Sequence, residues 1–273
     1  MNPAPPQVLA ILRMLIEERT GIRYSDADAA LIEDKVVSRA DVAGFDSLLD
    51  YYYYLRYDPN SGAEFNELTD ALVVNETYFF REVLGLEVAI EEVLKPAIEK
   101  RGRARAWSAA CSTGEEPFSL AMMLAERGLL EHTEIVATDI SRRALALAQS
   151  GRFRPRSVRT DVLPSAASGR LTLHDGRAQL APLIQNAVDF RWLNLMDHEA
   201  IAKLGTFDLI LCRNVLIYFS DQVVARLLTE LSCALATGGA LVVGTCESLL
   251  RYSTSLVCEE RRGAFIYRSA RND

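Results

Sequence analysis

Three parts of the chain hold residues whose types and spacing could do chemistry. In the first, an apolar run ends in Cys111-Ser112-Thr113-Gly114-Glu115-Glu116-Pro117 and a helical pattern follows. A dinucleotide site at such a turn carries G-x-G-x-x-G, because the glycines let a pyrophosphate reach backbone amides at a helix N-terminus. Here one glycine stands where three would, and two adjacent carboxylates would repel a pyrophosphate. The turn suits a ligand bearing hydroxyls, an amine or a positive charge. Capping offers a structural alternative. Thr113-x-x-Glu116 and Ser112-x-x-Glu115 are overlapping capping boxes, and Pro117 fits a first helical turn. One box accounts for one glutamate and leaves the other for a ligand.

A second group lies where further apolar runs end. Asp139 follows Ala137-Thr138, about 20 positions after the glycine turn, where a carboxylate can accept both hydroxyls of a ribose. Its alternative is a helix N-cap, which Ser141 would supply equally well. A ribose acceptor beside a turn averse to phosphate points away from NAD and towards S-adenosylmethionine, which has a sulfonium, an ammonium and no phosphate. Two other strand ends carry polar clusters: Asp189–Asn194 gives Asn194-Leu195 at its exit, and Phe207–Cys212 gives Arg213-Asn214, followed by Val215-Leu216-Ile217-Tyr218-Phe219. Polar pairs directly after buried strands face the ligand in an α/β sheet. On pattern alone, Tyr218 reads first as packing. The third part, Asn75-Glu76-Thr77-Tyr78-Phe79-Phe80-Arg81-Glu82, mixes polar groups with three aromatics. It reads as a loop closing a pocket, or as an apolar hinge with Arg81 paired to a surface carboxylate.

The rest of the chain must position these residues. Its 273 residues are 49% apolar and 25% charged, enough for one large or two modest domains and inconsistent with extensive disorder. No apolar run approaches the ~18 residues of a membrane span, and Met1 to Pro6 shows no basic stretch before an apolar one, so neither insertion nor a secretory signal is expected. Five cysteines without a C-x-x-C pair indicate neither a disulfide framework nor a metal site, and fit a reducing cytoplasm. The net charge of −7 argues against nucleic acid. Residues 1–74 hold 6 basic and 13 acidic side chains, whereas the remainder balances at 24 of each, which suggests two units.

Helical patterns fill the acidic front: Gln7–Arg19, Asp26–Ser38, Phe45–Tyr57 and Glu64–Val74. Tyr51–Tyr54 would point around all sides of a helix, so some of these tyrosines are expected at the junction with the body. From about Arg103, strands at Ala104–Ala110, Glu134–Thr138, Asp189–Asn194, Phe207–Cys212 and Ala240–Thr245 alternate with helices at Glu115–Arg127, Arg142–Gln149 and Asp221–Ala236. The last helix has Ser220 as its expected cap. The fold class is therefore α/β, a doubly wound, mostly parallel sheet behind a small helical domain. Residues 152–190 read as an insertion of loops and short strands, with His174-Asp175-Gly176 as a hairpin turn.

Together, Asn75 to Glu82, Ala109 to Pro117 and Cys212 to Phe219 resemble the CheR family, the chemotaxis receptor glutamate O-methyltransferases that use S-adenosylmethionine. The resemblance spans essentially the whole chain. It implies a helical domain at 1–74, a linker at 75–102 contributing to the cofactor pocket, and a Rossmann-like methyltransferase domain at 103–273 with an antiparallel β-subdomain at about 152–190. It also implies that Asn75, Thr77, Arg81, Glu116, Asp139, Asn194, Leu195, Arg213 and Asn214 contact the cofactor. Arg81 and Tyr218 would lie nearest the reacting methyl group, and no metal is implied. The expected partner is the cytoplasmic domain of transmembrane chemoreceptors, with a monomer as the family default. Leu171 to Ala187 lacks the longer glycine-bearing loop of members that dock on a receptor pentapeptide, and the front is acidic rather than basic; pentapeptide-independent recognition is expected. Cys246 stands where members often have His, and no chemistry is expected there.

Glutamate titrates near ~4.3, so a methyl-accepting carboxylate needs no general base. His132, His174 and His198 accordingly lie outside all three motifs. Two basic runs could meet an acidic substrate, Lys100–Arg105 and Arg152–Arg159; the second adjoins the expected β-subdomain and ranks first. The rival readings are a methyltransferase of another substrate and a catalytically silent receptor-binding adaptor.

Overall fold

The computed structural model describes residues 5–25, 28–159, 163–174 and 177–269. The front of the chain forms four helices: α1 (Pro6–Thr20), α2 (Ala29–Val42), α3 (Leu48–Tyr57) and α4 (Gly62–Leu72). Proline opens α1 and Gly21 closes it in the left-handed conformation, with φ 74°. Leu12, Leu15, Ile16, Ile32, Val36, Leu55 and Leu68 make the bundle core. α2 runs past the expected end at Ser38, because Ala40 continues its buried face; its expected start, Asp26, lies outside the described residues. α3 begins at Leu48 rather than Phe45, since Ser47 takes the cap and accepts the Asp50 N–H.

Three of the four tyrosines pack within the bundle, Tyr51 in its core and Tyr52 and Tyr54 against it. Tyr51 is buried in the bundle, where its hydroxyl donates to Glu64 Oε1 at 2.7 Å beside the bidentate Arg39–Glu64 pair. A buried phenol needs such a partner, and the bundle supplies it. α4, and the end of α1 with the segment after it, make contacts with the body.

The body opens with α5 (Val83–Ala89), which passes through a π-helical turn at Ile90–Leu94 into α6 (Lys95–Arg101). There follow β1 (Ala104–Ala109), α7 (Glu115–Glu126), β2 (Thr133–Asp139), α8 (Arg142–Ser150), β3 (Arg152–Phe153), β4 (Leu171–His174), β5 (Arg177–Leu180), α9 (Pro182–Gln185), β6 (Val188–Trp192), α10 (His198–Lys203), β7 (Phe207–Cys212), α11 (Asp221–Cys233), β8 (Leu235–Val243), β9 (Leu256–Arg261) and β10 (Ala264–Ser269). The main sheet has the order β6-β2-β1-β7-β8-β10-β9. The first five strands are parallel; β10 inserts antiparallel to β8, and β9 pairs antiparallel to β10.

Period-two alternation divides the sheet between two cores. Ile135, Ala137, Leu209, Leu211, Ala240 and Val242 face the core shared with α5 and α7. Trp107, Val136, Ile210, Leu241 and Val243 face the core shared with α10 and α11. β8 begins at Leu235, so α11 ends three residues before the expected Ala236, and Ser220 makes no side-chain cap bond. The β9–β10 hairpin falls beyond the last strand expected from the sequence. It turns at Arg262-Gly263, both at positive φ (51° and 86°), the geometry of a two-residue hairpin loop.

The insertion folds as a second sheet, β3-β5-β4, antiparallel throughout. Asp175 and Gly176 of the expected turn lie outside the described residues. Phe153 fixes this sheet to the body through edge contacts with Phe79 (4.8 Å) and Phe118 (5.9 Å). The bundle docks through buried Asp70 of α4, which accepts the Ser141 hydroxyl at the N-terminus of α8; Arg143 Nη2 donates back to the Asp70 carbonyl at 2.8 Å. A carboxylate at that end of a helix meets the positive pole of its dipole.

Candidate active site

A cavity of about 400 Å³ lies beyond the C-terminal ends of β1, β2, β6 and β7. All the candidate residues named from the sequence line it: Asn75, Thr77, Arg81, Glu116, Asp139, Asn194, Leu195, Arg213, Asn214 and Tyr218. The bundle contributes a wall that the sequence did not reveal, built from Thr20 at the end of α1 and from Ile22 and Tyr24 after it. Ile22 bridges Phe219, and the Arg23 N–H donates to the Tyr218 carbonyl at 2.8 Å. Of the six non-glycine residues at positive φ among the described residues, Phe80, Glu82, Ala110, Ser112 and Asn214 belong to the loops around this cavity. Strained backbone gathers where loops are fixed by function.

The glycine turn departs from the expected capping. Gly114 occupies the N-cap of α7 at φ 92°, and neither box forms. A Cβ at 114 would lie 2.8 Å from the Ala148 Cβ, so the turn can approach α8 only as glycine. The Thr113 hydroxyl instead donates to Glu115 Oε2 at 2.6 Å, and the Ser157 hydroxyl to Glu115 Oε1 at 2.7 Å. Glu115 thus faces the insertion, away from the cavity, with burial pushing its carboxyl pKa upward. Glu116 faces the cavity. It accepts the Ser108 hydroxyl (2.6 Å) and Arg213 Nη1 (3.1 Å), and burial raises its pKa against the pull of Arg213.

Asp139 also rises, to about 6, because burial outweighs the backbone N–H groups it accepts. Ser112 donates to one oxygen at 2.7 Å and Ser141 to the other at 2.8 Å. Ser141 is the cap of α8, so the N-cap alternative for Asp139 falls away. Asp139 lines the cavity, and a carboxylate oxygen can accept more than one hydrogen bond. Asn75 reaches the same turn, accepting the Ser112 hydroxyl at 3.1 Å.

Two candidates carry architectural bonds that were not foreseen. Asn194 donates through Nδ2 to the Arg19 carbonyl (2.6 Å) and accepts the Met196 N–H (3.0 Å), tying the end of α1 to the exit of β6. Arg213, with its side chain 2% exposed, donates to Glu116, Glu82 and the Arg81 carbonyl. Glu82 and Glu247 were missed as organisers. Burial pushes Glu82 up, but Arg213 and the surrounding donors bring it below the ordinary carboxylate value. Glu247 accepts three backbone N–H groups around Asn214. For Glu247 the usable signal was an acidic residue just past the exit of a strand; Glu82 stands at the start of α5, at the end of the polar linker.

Arg81 and Tyr218 share one side of the cavity. Burial raises the Tyr218 phenol, and the positive Arg81 works against that rise. Arg81 Nη1 donates to the Glu76 carbonyl at 3.1 Å, and its guanidinium lies 5.7 Å from the Tyr78 ring centre. Arg159 sits over that ring at 4.6 Å and pairs with Glu76 at 2.7 Å, so the Arg152–Arg159 run adjoins the cavity. The other basic run does not. Arg105 heads β1 at the opposite edge of the sheet and pairs with Glu134, while Arg101 pairs with Asp208. No cluster able to hold a metal ion exists among the described residues.

The donor set fits S-adenosylmethionine: buried Asp139 at the end of β2 and Glu116 in the first turn of α7, amide and hydroxyl groups beside them, and a single glycine where a phosphate cradle needs several. Fold and site together define a Rossmann-like, S-adenosylmethionine-dependent methyltransferase. Residues 7–73 match the family model "CheR methyltransferase, all-alpha domain", and residues 75–262 match "CheR methyltransferase, SAM binding domain". The chain belongs to the CheR methyltransferase family. It is 37% identical to chemotaxis protein methyltransferase 2 of Vibrio cholerae, over 87% of this chain and 84% of that one. It is 34% identical to chemotaxis protein methyltransferase 1 of Pseudomonas aeruginosa (88% and 89%) and 32% identical to the Cher2 methyltransferase of Pseudomonas putida (87% and 88%).

Proposed function

We propose that this protein methylates glutamate side chains on the cytoplasmic domains of chemoreceptors, giving methyl esters, in chemotaxis adaptation. The observation that carries this reading is the placement of Arg81 beside Tyr218 on a cavity whose floor is acidic. The bound cofactor supplies a methyl group activated by a sulfonium. Asp139 accepts the ribose hydroxyls, and Glu116, Asn75, Thr77, Arg81, Asn194, Leu195, Arg213 and Asn214 complete the pocket. Arg81 aligns the incoming carboxylate by a charge-assisted hydrogen bond. Tyr218 donates a second bond and keeps water from the reacting line. Neither residue takes or gives a proton, because the acceptor is already an anion. Opposite charges cancel along the reaction path, so holding the reactants in line and dry is the main task of the site.

The helical unit at 1–74 and the linker at 75–102 close the pocket over the body at 103–273. Receptor capture uses the Arg152–Arg159 run and no pentapeptide. The enzyme works as a monomer in the cytoplasm and has no nucleic-acid substrate. Incubation with labelled S-adenosylmethionine and receptor-bearing membranes tests the reading. Label released as methanol by mild base is expected; stable label, or none, would reject glutamate esterification.

A further inference from the structure

We propose that Glu247 is a positioning residue for methyl transfer, acting through the turn that carries Tyr218. Glu247 is buried just past the exit of β8, and its three donors are all backbone N–H groups. Oε2 accepts from Gly244 at 2.7 Å and from Asn214 at 2.6 Å; Oε1 accepts from Ile217 at 3.3 Å. One carboxylate therefore grips the start of the turn and the residue next to Tyr218.

Three further observations give this grip its purpose. Asn214 sits at φ 58°, so the turn is held in a conformation that a non-glycine residue adopts at a cost. Gly244 brings the strand end against the turn: a Cβ there would lie 2.5 Å from Asn214 Nδ2 and 2.8 Å from Glu247 Oε2. Tyr218 has no hydroxyl hydrogen bond among the described residues; its backbone accepts from Arg23 and donates to Val215. Its orientation thus depends on the turn beneath it. The neighbouring Arg213 holds the Arg81 carbonyl at 2.6 Å, so this turn sets Tyr218 relative to Arg81. An acceptor-only group suits three converging donors, whereas an amide would turn an N–H towards one of them.

This inference rests on the placement of Tyr218 at the reacting centre proposed above. The test is a double-mutant cycle of Glu247→Gln with Tyr218→Phe, in the full-length enzyme with receptor as substrate. Glu247→Gln is expected to lower kcat by about tenfold, with KM for receptor and the Kd of S-adenosylhomocysteine within about threefold of wild type. The double variant is expected to fall no more than about twofold below the slower single variant, because both changes disable one alignment. Gly244→Ala, which presses on the same carboxylate and turn, should reproduce the kcat-selective loss, and it replaces Glu247→Gln in the cycle if that variant does not fold.

Losses that multiply in the double variant, or a loss seen in KM or cofactor Kd rather than kcat, would overturn the role of Glu247 while leaving Tyr218 in place. Wild-type turnover in Tyr218→Phe alone would overturn both.

Discussion

Arg213 Nη2 lies 2.6 Å from the carbonyl oxygen of Arg81, joining the exit of β7 to the polar linker 132 positions earlier in the chain. The same guanidinium pairs with Glu82 and Glu116, each at 3.1 Å. One buried cation thus binds the linker to the helix that follows the glycine turn.

Replacing Arg213 with Leu should therefore do more than weaken a contact. It leaves two shielded carboxylates facing one another, a loss of about 3 kcal/mol by analogy with broken buried ion pairs. A clear drop in the thermal midpoint, with no heat from S-adenosylhomocysteine in calorimetry, is the expected outcome. An unchanged midpoint would show that the pair is solvated.

Arg81→Ala and Tyr218→Phe should behave differently. In the proposed roles both align the transferring groups, so turnover is expected to fall by about 10–100-fold, the worth of a hydrogen bond to a charged group. Cofactor affinity should change much less. Steady-state kinetics on receptor, paired with calorimetry, separates the two effects; near-wild-type turnover in both variants would displace the reacting centre.

Asp139 makes the free protein sensitive to pH. Burial pushes its carboxyl from the ordinary 3.8 to about 6, so the folded state holds the proton more tightly. Stability from this group is fully present below pH ~4 and is lost as pH rises through 6, by about 3 kcal/mol in all. Thermal midpoints of wild type minus Asp139→Asn, measured between pH 4 and 7, should fall along that curve. Affinity for S-adenosylhomocysteine should run the opposite way and level off above pH 6, because the ionised carboxylate is the better acceptor for ribose hydroxyls. A flat profile would remove Asp139 from the ligand.

Charge reversal at Arg154 and Arg156 examines substrate capture. Both lie in the run that reaches the cavity through Arg159, Tyr78 and Glu76. Arg154→Glu with Arg156→Glu should raise KM for receptor by about tenfold at low salt, with the difference shrinking as salt screens it. An unchanged KM would leave this surface without a docking role.

The strand ends were legible because their chemistry is local: Asp139 and Arg213 each end an apolar run, Asn194 ends an alternating one, and a parallel sheet brings such ends to one edge. Organisers that depend on distant partners were not. Glu247 means nothing until its strand lies beside the turn at Asn214, and Asn194 gives no hint that it will bind α1. Capping boxes were misread because Gly114 took a left-handed conformation for packing on α8, which outranks local propensity. The β9–β10 hairpin was hidden by the charged sequence Glu259-Glu260-Arg261-Arg262, which breaks the apolar alternation.

The segment after α1 is both a linker within the bundle and a strap across the cavity, fastened to Phe219 and Tyr218. A ligand enclosed there would touch both halves of the molecule. Its binding energy then becomes adhesion between them, and the two halves should melt as one when the ligand is present.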